Sequence, residues 1–183
     1  MAMNQTIVLC GFMGCGKSAT GRRLAQYTHR ELIDTDRYIE EKTGKTVSQI
    51  FAEDGESAFR AMETEAVREL AALPRKILSV GGGLLLTPGN AEIFRENHCH
   101  IVLIDTPLSI LQERLKNDTK RPLLQHPNRS EVIRDLHAKR IDRYRAASTI
   151  IVSGEGTLDA VAHRILVATG ILPGDHFRDP WKR

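Results

Sequence analysis

The chain has 183 residues, 41% hydrophobic and 27% charged, the balance of one soluble globular domain with a sizeable core. A net charge of +3 suits an anionic small molecule, and aromatics at 5% with no interleaved basic stretch argue against a nucleic-acid partner. No run approaches the ~18 apolar residues of a membrane span, and Met1-Ala2-Met3-Asn4-Gln5 has neither a basic n-region nor a long apolar h-region, so a cytoplasmic protein without membrane association is expected.

Thr6 to Cys10 reads as a buried strand, followed by Gly-rich punctuation and a helix through about Tyr27. Glu31-Leu32-Ile33 is a second short strand. Thr46-Val47-Ser48-Gln49 has the form of a capping box and should start a short helix through Phe51. Asp54-Gly55 breaks the chain. A long helix follows, with Phe59, Met62, Ala66, Val67, Leu70 and Leu73 at spacings of three and four, until Pro74 stops it.

Ile77 to Val80 is a third strand, running into Gly81-Gly82-Gly83. Thr87-Pro88 and Thr106-Pro107 each resemble an N-cap with Pro at the first helical position, and the strand Ile101 to Ile104 lies between them. From Lys116 to Arg129 the apolar periodicity fails, and the segment, with Lys120, Arg121, Arg129 and two prolines, reads as a mobile lid. A helix from Ser130 to about Tyr144, a strand from Thr149 to Val152 and a helix ending at Gly170 complete the pattern. Five strands alternating with helices predict an α/β fold: one parallel sheet with helices on both faces. The domain covers residues 1–170, and residues 171–183 form a tail with little periodicity.

Cys10, Cys15 and Cys99 cannot make a disulfide framework and fit a reducing compartment. His98-Cys99-His100 has no second Cys/His pair at zinc-site spacing, which argues against a structural metal. Cys15 lies in a loop that opens a helix, where a thiol can gain acidity, although a tolerated small residue is the plainer account.

Gly11-Phe12-Met13-Gly14-Cys15-Gly16-Lys17-Ser18 fits G-x-x-x-x-G-K-[ST], directly after a strand and directly before a helix. Glycines there let successive backbone N–H groups point inward around phosphate oxygens, and the helix start adds its positive end. Lys17 should reach the β- and γ-phosphates, and Ser18 offers a hydroxyl to Mg²⁺. GTPases and ATPases share the motif, so it names no acceptor.

Asp34 and Asp36 end the second strand, where they would face those phosphates. Asp34 is then a Mg²⁺-side ligand acting through water, and Asp36 a base or hydroxyl acceptor. The bland alternative is an Asx-type turn capping a helix that begins near Arg37. Arg60 and Glu63 share a helix face, so Glu63 can hold the guanidinium. The Gly81 to Gly83 turn offers open backbone donors at the C-terminal end of a strand, where open α/β sheets bind ligands.

In order and spacing, GFMGCGKS, IDTD, AFRAMETE, SVGGG, KRPLL and HAKR…Y resemble the shikimate kinases, over about Thr6 to Val152. The resemblance implies the three-layer P-loop kinase fold, a monomer, shikimate and ATP as substrates, and one Mg²⁺ per subunit. It implies that Gly11, Gly14, Cys15, Gly16, Lys17, Ser18 and Ala19 cradle ATP, and that Ser18 and Asp34 hold the metal. Asp36 contacts the shikimate hydroxyls and orients or deprotonates the attacking one. Arg60 and Arg140 grip the carboxylate, with Gly81, Gly82 and Gly83 adding backbone contacts. Arg121 reaches the ATP phosphates from the lid, and Arg114 packs against adenine. Lys17, Asp36 and Arg121 are the implied catalytic set.

The chain departs from that pattern at Arg140-Ile141-Asp142-Arg143-Tyr144, where the family usually has a Pro-Leu step, so Arg143 or Arg145 is a further candidate for the carboxylate clamp. Two rivals remain. Another metabolite kinase, such as one for gluconate, would share Gly11 to Ser18 without needing FRxxE, the triple glycine and RPLL together. A catalytically idle homologue acting as a binding module is the other.

Overall fold

Ile7–Cys10 (β1) is an unbroken apolar run, and its four residues are buried because strands lie on both sides of it and helices cover both faces. The structure, a computed structural model, describes residues 5–119 and 124–173. β1 is followed by Lys17–Thr28 (α1), Leu32–Asp34 (β2), Thr35–Thr43 (α2), Val47–Glu53 (α3), Gly55–Ala71 (α4) and Ile77–Ser79 (β3). A 3-10 turn, Leu84–Leu86, leads to Asn90–Glu96 (α5), His100–Asp105 (β4), Leu108–Leu115 (α6), Arg129–Ala147 (α7), Ile150–Ser153 (β5) and Leu158–Thr169 (α8).

The five strands form one parallel sheet in the order β2-β3-β1-β4-β5, with Leu9 opposite Ser79 on one side and Val102 on the other. The chain steps one way from β1 to β2 and the other way from β2 onward. Right-handed crossovers therefore put α1 on one face and α4, α5 and α7 on the other. The packing agrees: α1 contacts α8, while α4 contacts α5 and α7 contacts β4. This is the parallel sheet with helices on both faces that the alternation predicted, in the three-layer P-loop form that the resemblance implied. The strand order reverses beside β1, which is where open α/β sheets bind ligands.

Several local readings hold for the expected reasons. The Thr46 hydroxyl accepts from the Gln49 N–H at 3.2 Å while Gln49 Oε1 accepts from the Thr46 N–H at 2.8 Å, a complete capping box on α3. In α4, Phe59, Ala66, Val67 and Leu70 are buried at the predicted spacing.

Three details differ. α4 ends at Ala71, so Leu73 falls outside it and is 38% exposed. Thr87 closes the 3-10 turn, its N–H donating to Leu84 O, and α5 starts only at Asn90 with Gly89 as N-cap. Pro107 is itself the N-cap of α6 rather than its first residue, and the Thr106 side chain turns inward, where the hydroxyl is buried without a partner among the described residues over the bare face of Gly154.

His98, Cys99 and His100 end the α5 turn and enter β4, and among the described residues no group of three or more His, Cys, Asp or Glu could hold a metal ion. Burial pushes the Cys99 thiol up to about 11 and the Cys10 thiol up to about 12, which makes both inert packing residues. No helix among the described residues is long and apolar enough to cross a membrane. Lys120 to Leu123, including Arg121, and residues 174–183 of the tail lie outside the described residues.

Candidate active site

A cavity of about 630 Å³ opens at the C-terminal ends of β1, β2 and β3. The phosphate loop forms one wall. Gly14 (φ 80°) and Gly16 (φ 98°) adopt backbone that only glycine enters without strain. No side chain caps α1, so its first-turn N–H groups are left for an outside acceptor. Lys17 Nζ donates to the carbonyls of Gly11 at 2.7 Å and Phe12 at 3.3 Å, and lines the cavity with Ser18 and Ala19.

Cys15 is buried, with its sulfur packed over Gly11, where an added Cβ would stand only 2.8 Å away. It is a packing residue of the loop. Phe12 stacks edge-on against His137 of α7, with ring centroids 5.4 Å apart, which ties the loop to that helix.

The second wall comes from β2 and α2. Asp34 Oδ1 accepts from the backbone N–H groups of Asp36 at 3.1 Å and Arg37 at 3.3 Å, so Asp34 is the N-cap of α2. This is the Asx-type turn that the residues alone left open, and only one of its carboxylate oxygens is used in it. The cap aims Asp36 into the cavity, where its Oδ1 is buried without a hydrogen-bond partner among the described residues. Burial, then the neighbouring Asp34 carboxylate, push Asp36 above the ordinary carboxylate range, with Lys17 pulling the other way. Ser18 Oγ lies 3.3 Å from Ser79 Oγ at the end of β3.

Opposite these acids stand two arginines. Arg60 Nη1 donates to the buried Glu63 carboxylate at 2.7 Å, and Arg60 Nη2 to Glu56 at 3.0 Å. The guanidinium crosses Gly83 so closely that a Cβ there would lie 2.3 Å from Nη1. Arg140, on α7, lines the cavity from the other side, 3.8 Å from where a Cβ on Gly82 would be. The other two clamp candidates are engaged elsewhere: Arg143 donates to Leu86 O at 2.6 Å, and Arg145 pairs with Asp105 at 2.9 Å. Of the three, Arg140 is the one that lines this cavity.

Arg114 lies apart from this cavity. Its guanidinium donates to the carbonyls of Gly14 and Cys15, and it lines a second cavity of about 300 Å³ with Thr20 and the Gly154 to Gly156 turn, on the outer side of the phosphate loop.

The described residues expected to bind substrate, Asp36, Arg60, Gly81 to Gly83 and Arg140, therefore line one cavity with Lys17 and Ser18. Gly11 and Cys15, in the phosphate loop itself, do not line this cavity, and Cys15 lines the second one. Not anticipated were Val47 and Phe51 of α3, which give the cavity an apolar wall with Phe59, and Arg22, one turn after Ser18. The capping box was the sequence signal for α3, but nothing local says which way its apolar side faces.

The shikimate kinase family model matches residues 13–169. The chain belongs to the shikimate kinase family. A shikimate kinase of Pelotomaculum thermopropionicum is 43% identical over 162 residues, covering 88% of this chain and 94% of that protein. The structure of a shikimate kinase from Acinetobacter baumannii in complex with shikimate superposes with a TM-score of 0.80 at 35% identity, covering 90% and 92% of the two chains. A gluconokinase from Sinorhizobium meliloti superposes at a TM-score of 0.58 and 18% identity, over 93% and 94%, a likeness of fold alone.

Proposed function

We propose that this chain transfers the γ-phosphoryl group of ATP to the 3-hydroxyl of shikimate, giving shikimate 3-phosphate and ADP, a step of the shikimate pathway towards chorismate and the aromatic amino acids. The observation that carries the reading is the Asp36 carboxylate, whose buried Oδ1 has no partner among the described residues, in a cavity bounded by a phosphate loop on one side and two arginines on the other. A polyhydroxylated acid fits such a cavity, with its carboxylate on planar guanidinium forks and its hydroxyls towards a carboxylate.

Within that reading Arg60 and Arg140 clamp the shikimate carboxylate, and the free N–H groups of the Gly81 to Gly83 turn add neutral donors. Asp36 accepts the proton of the attacking hydroxyl and orients it. Phosphoryl transfer needs positioning and charge neutralisation more than covalent help, and Lys17, with Arg121 from the lid segment, supplies the cationic side chains. The backbone N–H groups of Gly14 to Ser18 hold the phosphates, and Arg114 with its cavity takes the adenine side.

The donor set fits Mg²⁺. Among the described residues no cluster of three ligating side chains exists, but the Ser18 hydroxyl and the unused oxygen of Asp34 are the few oxygen donors that a water-rich Mg²⁺ bound to phosphates needs. When bound, the ion neutralises phosphate charge. The reading also takes residues 1–170 as a single monomeric P-loop kinase domain in the cytoplasm.

A coupled assay of ADP release tests the proposal. ATP turnover should rise at least about a hundredfold with shikimate, within the range that positioned general-base catalysis spans, and not with gluconate or nucleoside monophosphates. Equal turnover of gluconate, or ADP release indifferent to shikimate, would overturn it.

A further inference from the structure

Tyr144 is among the largest fully buried side chains, at 1% exposure, yet its hydroxyl finds an acceptor 62 positions away, the carbonyl of Gly82. The rest of the Gly81 to Gly83 turn explains why that bond matters. The Gly81 N–H donates to Thr35 Oγ1 at 3.1 Å, the Gly81 carbonyl accepts from Leu84 N–H at 3.2 Å, and the Gly83 carbonyl accepts from Leu86 N–H at 2.9 Å. With Tyr144 on the Gly82 carbonyl, every acceptor of the turn is engaged. The N–H groups of Gly82 and Gly83 have no partner among the described residues.

Three consecutive glycines are the stretch least able to hold a peptide plane by themselves, since glycine enters both halves of φ space freely. In a planar trans peptide the C=O and N–H point in opposite directions. Anchoring the Gly82 carbonyl on Tyr144 therefore turns the Gly83 N–H away from α7. A flipped Gly82–Gly83 peptide would show its carbonyl oxygen where the N–H now points, and a carbonyl repels an anion.

Arg140 precedes Tyr144 by one helical turn, so the two share a face of α7. A Cβ on Gly82 would lie 3.7 Å from the Tyr144 hydroxyl and 3.8 Å from Arg140 Nη1. One helix face thus brings both a cation and the anchor to the same glycine.

We propose that Tyr144 is a positioning residue of the acceptor pocket, whose hydroxyl fixes the peptide orientation of the glycine turn so that its free N–H groups and Arg140 meet the carboxylate of the acceptor together. This rests on the reading of the cavity as the shikimate site. In this role Tyr144 acts through the Gly82 carbonyl and through the Arg140 side chain beside it.

Tyr144→Phe keeps the ring that fills the core and removes only the hydroxyl. The KM for shikimate should rise about tenfold, the factor that loss of about 1.4 kcal/mol represents, with kcat changed less than about twofold and the KM for ATP unaltered. A merely structural role would not split the constants in this way, and KM does not depend on the folded fraction, so partial unfolding cannot imitate the result. With an analogue whose carboxylate is replaced by a neutral hydroxymethyl group, the penalty should shrink to within about twofold, because the turn no longer faces an anion. An unchanged KM for shikimate in Tyr144→Phe, or an equal penalty with the neutral analogue, overturns the inference. Arg140→Ala separates the two levels: if it raises the KM while Tyr144→Phe does not, only the role of Tyr144 is lost. If neither does, the reading of the pocket fails with it.

Discussion

Asp36 and Glu63 approach each other across the bare face of Gly81: a Cβ there would stand 2.7 Å from Asp36 Oδ1 and 3.2 Å from Glu63 Oε1. Two acids from different helices share this space, and the absent side chain leaves room for both. Burial raises Glu63 above the ordinary carboxylate range despite its Arg60 partner, as it does Asp36. Both carboxylates are thus held at a desolvation cost that the fold alone would not favour, a local conflict of the kind found at functional sites.

Gly81→Ala should therefore disable turnover by displacing Asp36, while leaving ATP binding intact, because the phosphate loop lies on another strand. A fall in kcat of at least about tenfold is expected, a modest part of what a general base contributes. Steady-state kinetics with a nucleotide-binding titration checks it.

Asp36→Asn should lower kcat by about 10²–10⁴ and at the same time raise the melting temperature at pH 7.5. The sign follows from linkage. Asp36 has a folded pKa above its unfolded one, so the folded state binds more protons between those two values. Stability is fully present below the unfolded pKa and is lost as pH rises through the folded pKa. Above that window the wild type carries the whole cost of a buried carboxylate and the amide does not. The gain in melting temperature should shrink towards pH 4, and the acid limb of wild-type turnover should track the same raised group.

Arg60→Ala should weaken shikimate binding by about 1.5–3 kcal/mol, the scale of a charge-assisted hydrogen bond. It also strands Glu63, which is only 1% exposed, so stability should drop as well. In Arg60→Ala/Glu63→Gln the stability should return and the shikimate affinity should not. Denaturant unfolding and a shikimate titration on both variants separate the two effects.

Arg145→Ala should leave the KM for shikimate within about twofold, because its guanidinium is committed to Asp105 at the surface, where a salt bridge contributes under about 1 kcal/mol. Arg140→Ala should raise that KM by tenfold or more, the effect of a charge-assisted contact of about 1.5 kcal/mol. Reversal of the pair would move the clamp to the surface arginine.

Thr46→Ala breaks the capping box of α3 and should cost about 1 kcal/mol of stability. Because α3 carries Val47 and Phe51 into the cavity, a small rise in the KM for shikimate should accompany the loss, measured alongside thermal unfolding.

The phosphate loop, the capping box of α3, the apolar stripe of α4 and the parallel α/β layering were all legible in the sequence. Each is a local pattern, written by residues within a few positions of one another and enforced by backbone geometry or helical periodicity. Leu73 and the two Thr-Pro steps misled because propensity says where a helix can start or stop, and packing chooses among the options. Tertiary structure alone puts Arg140 in the cavity wall and Arg143 and Arg145 on other partners, since three arginines within six positions differ only in which neighbour they meet. It alone brings Thr35 and Tyr144 to the glycine turn, 46 and 62 residues distant in the chain. Hydrogen bonds of that reach depend on where two elements dock. The side chains that build the site follow from the sequence, whereas their orientation follows from the packed sheet and helices between them.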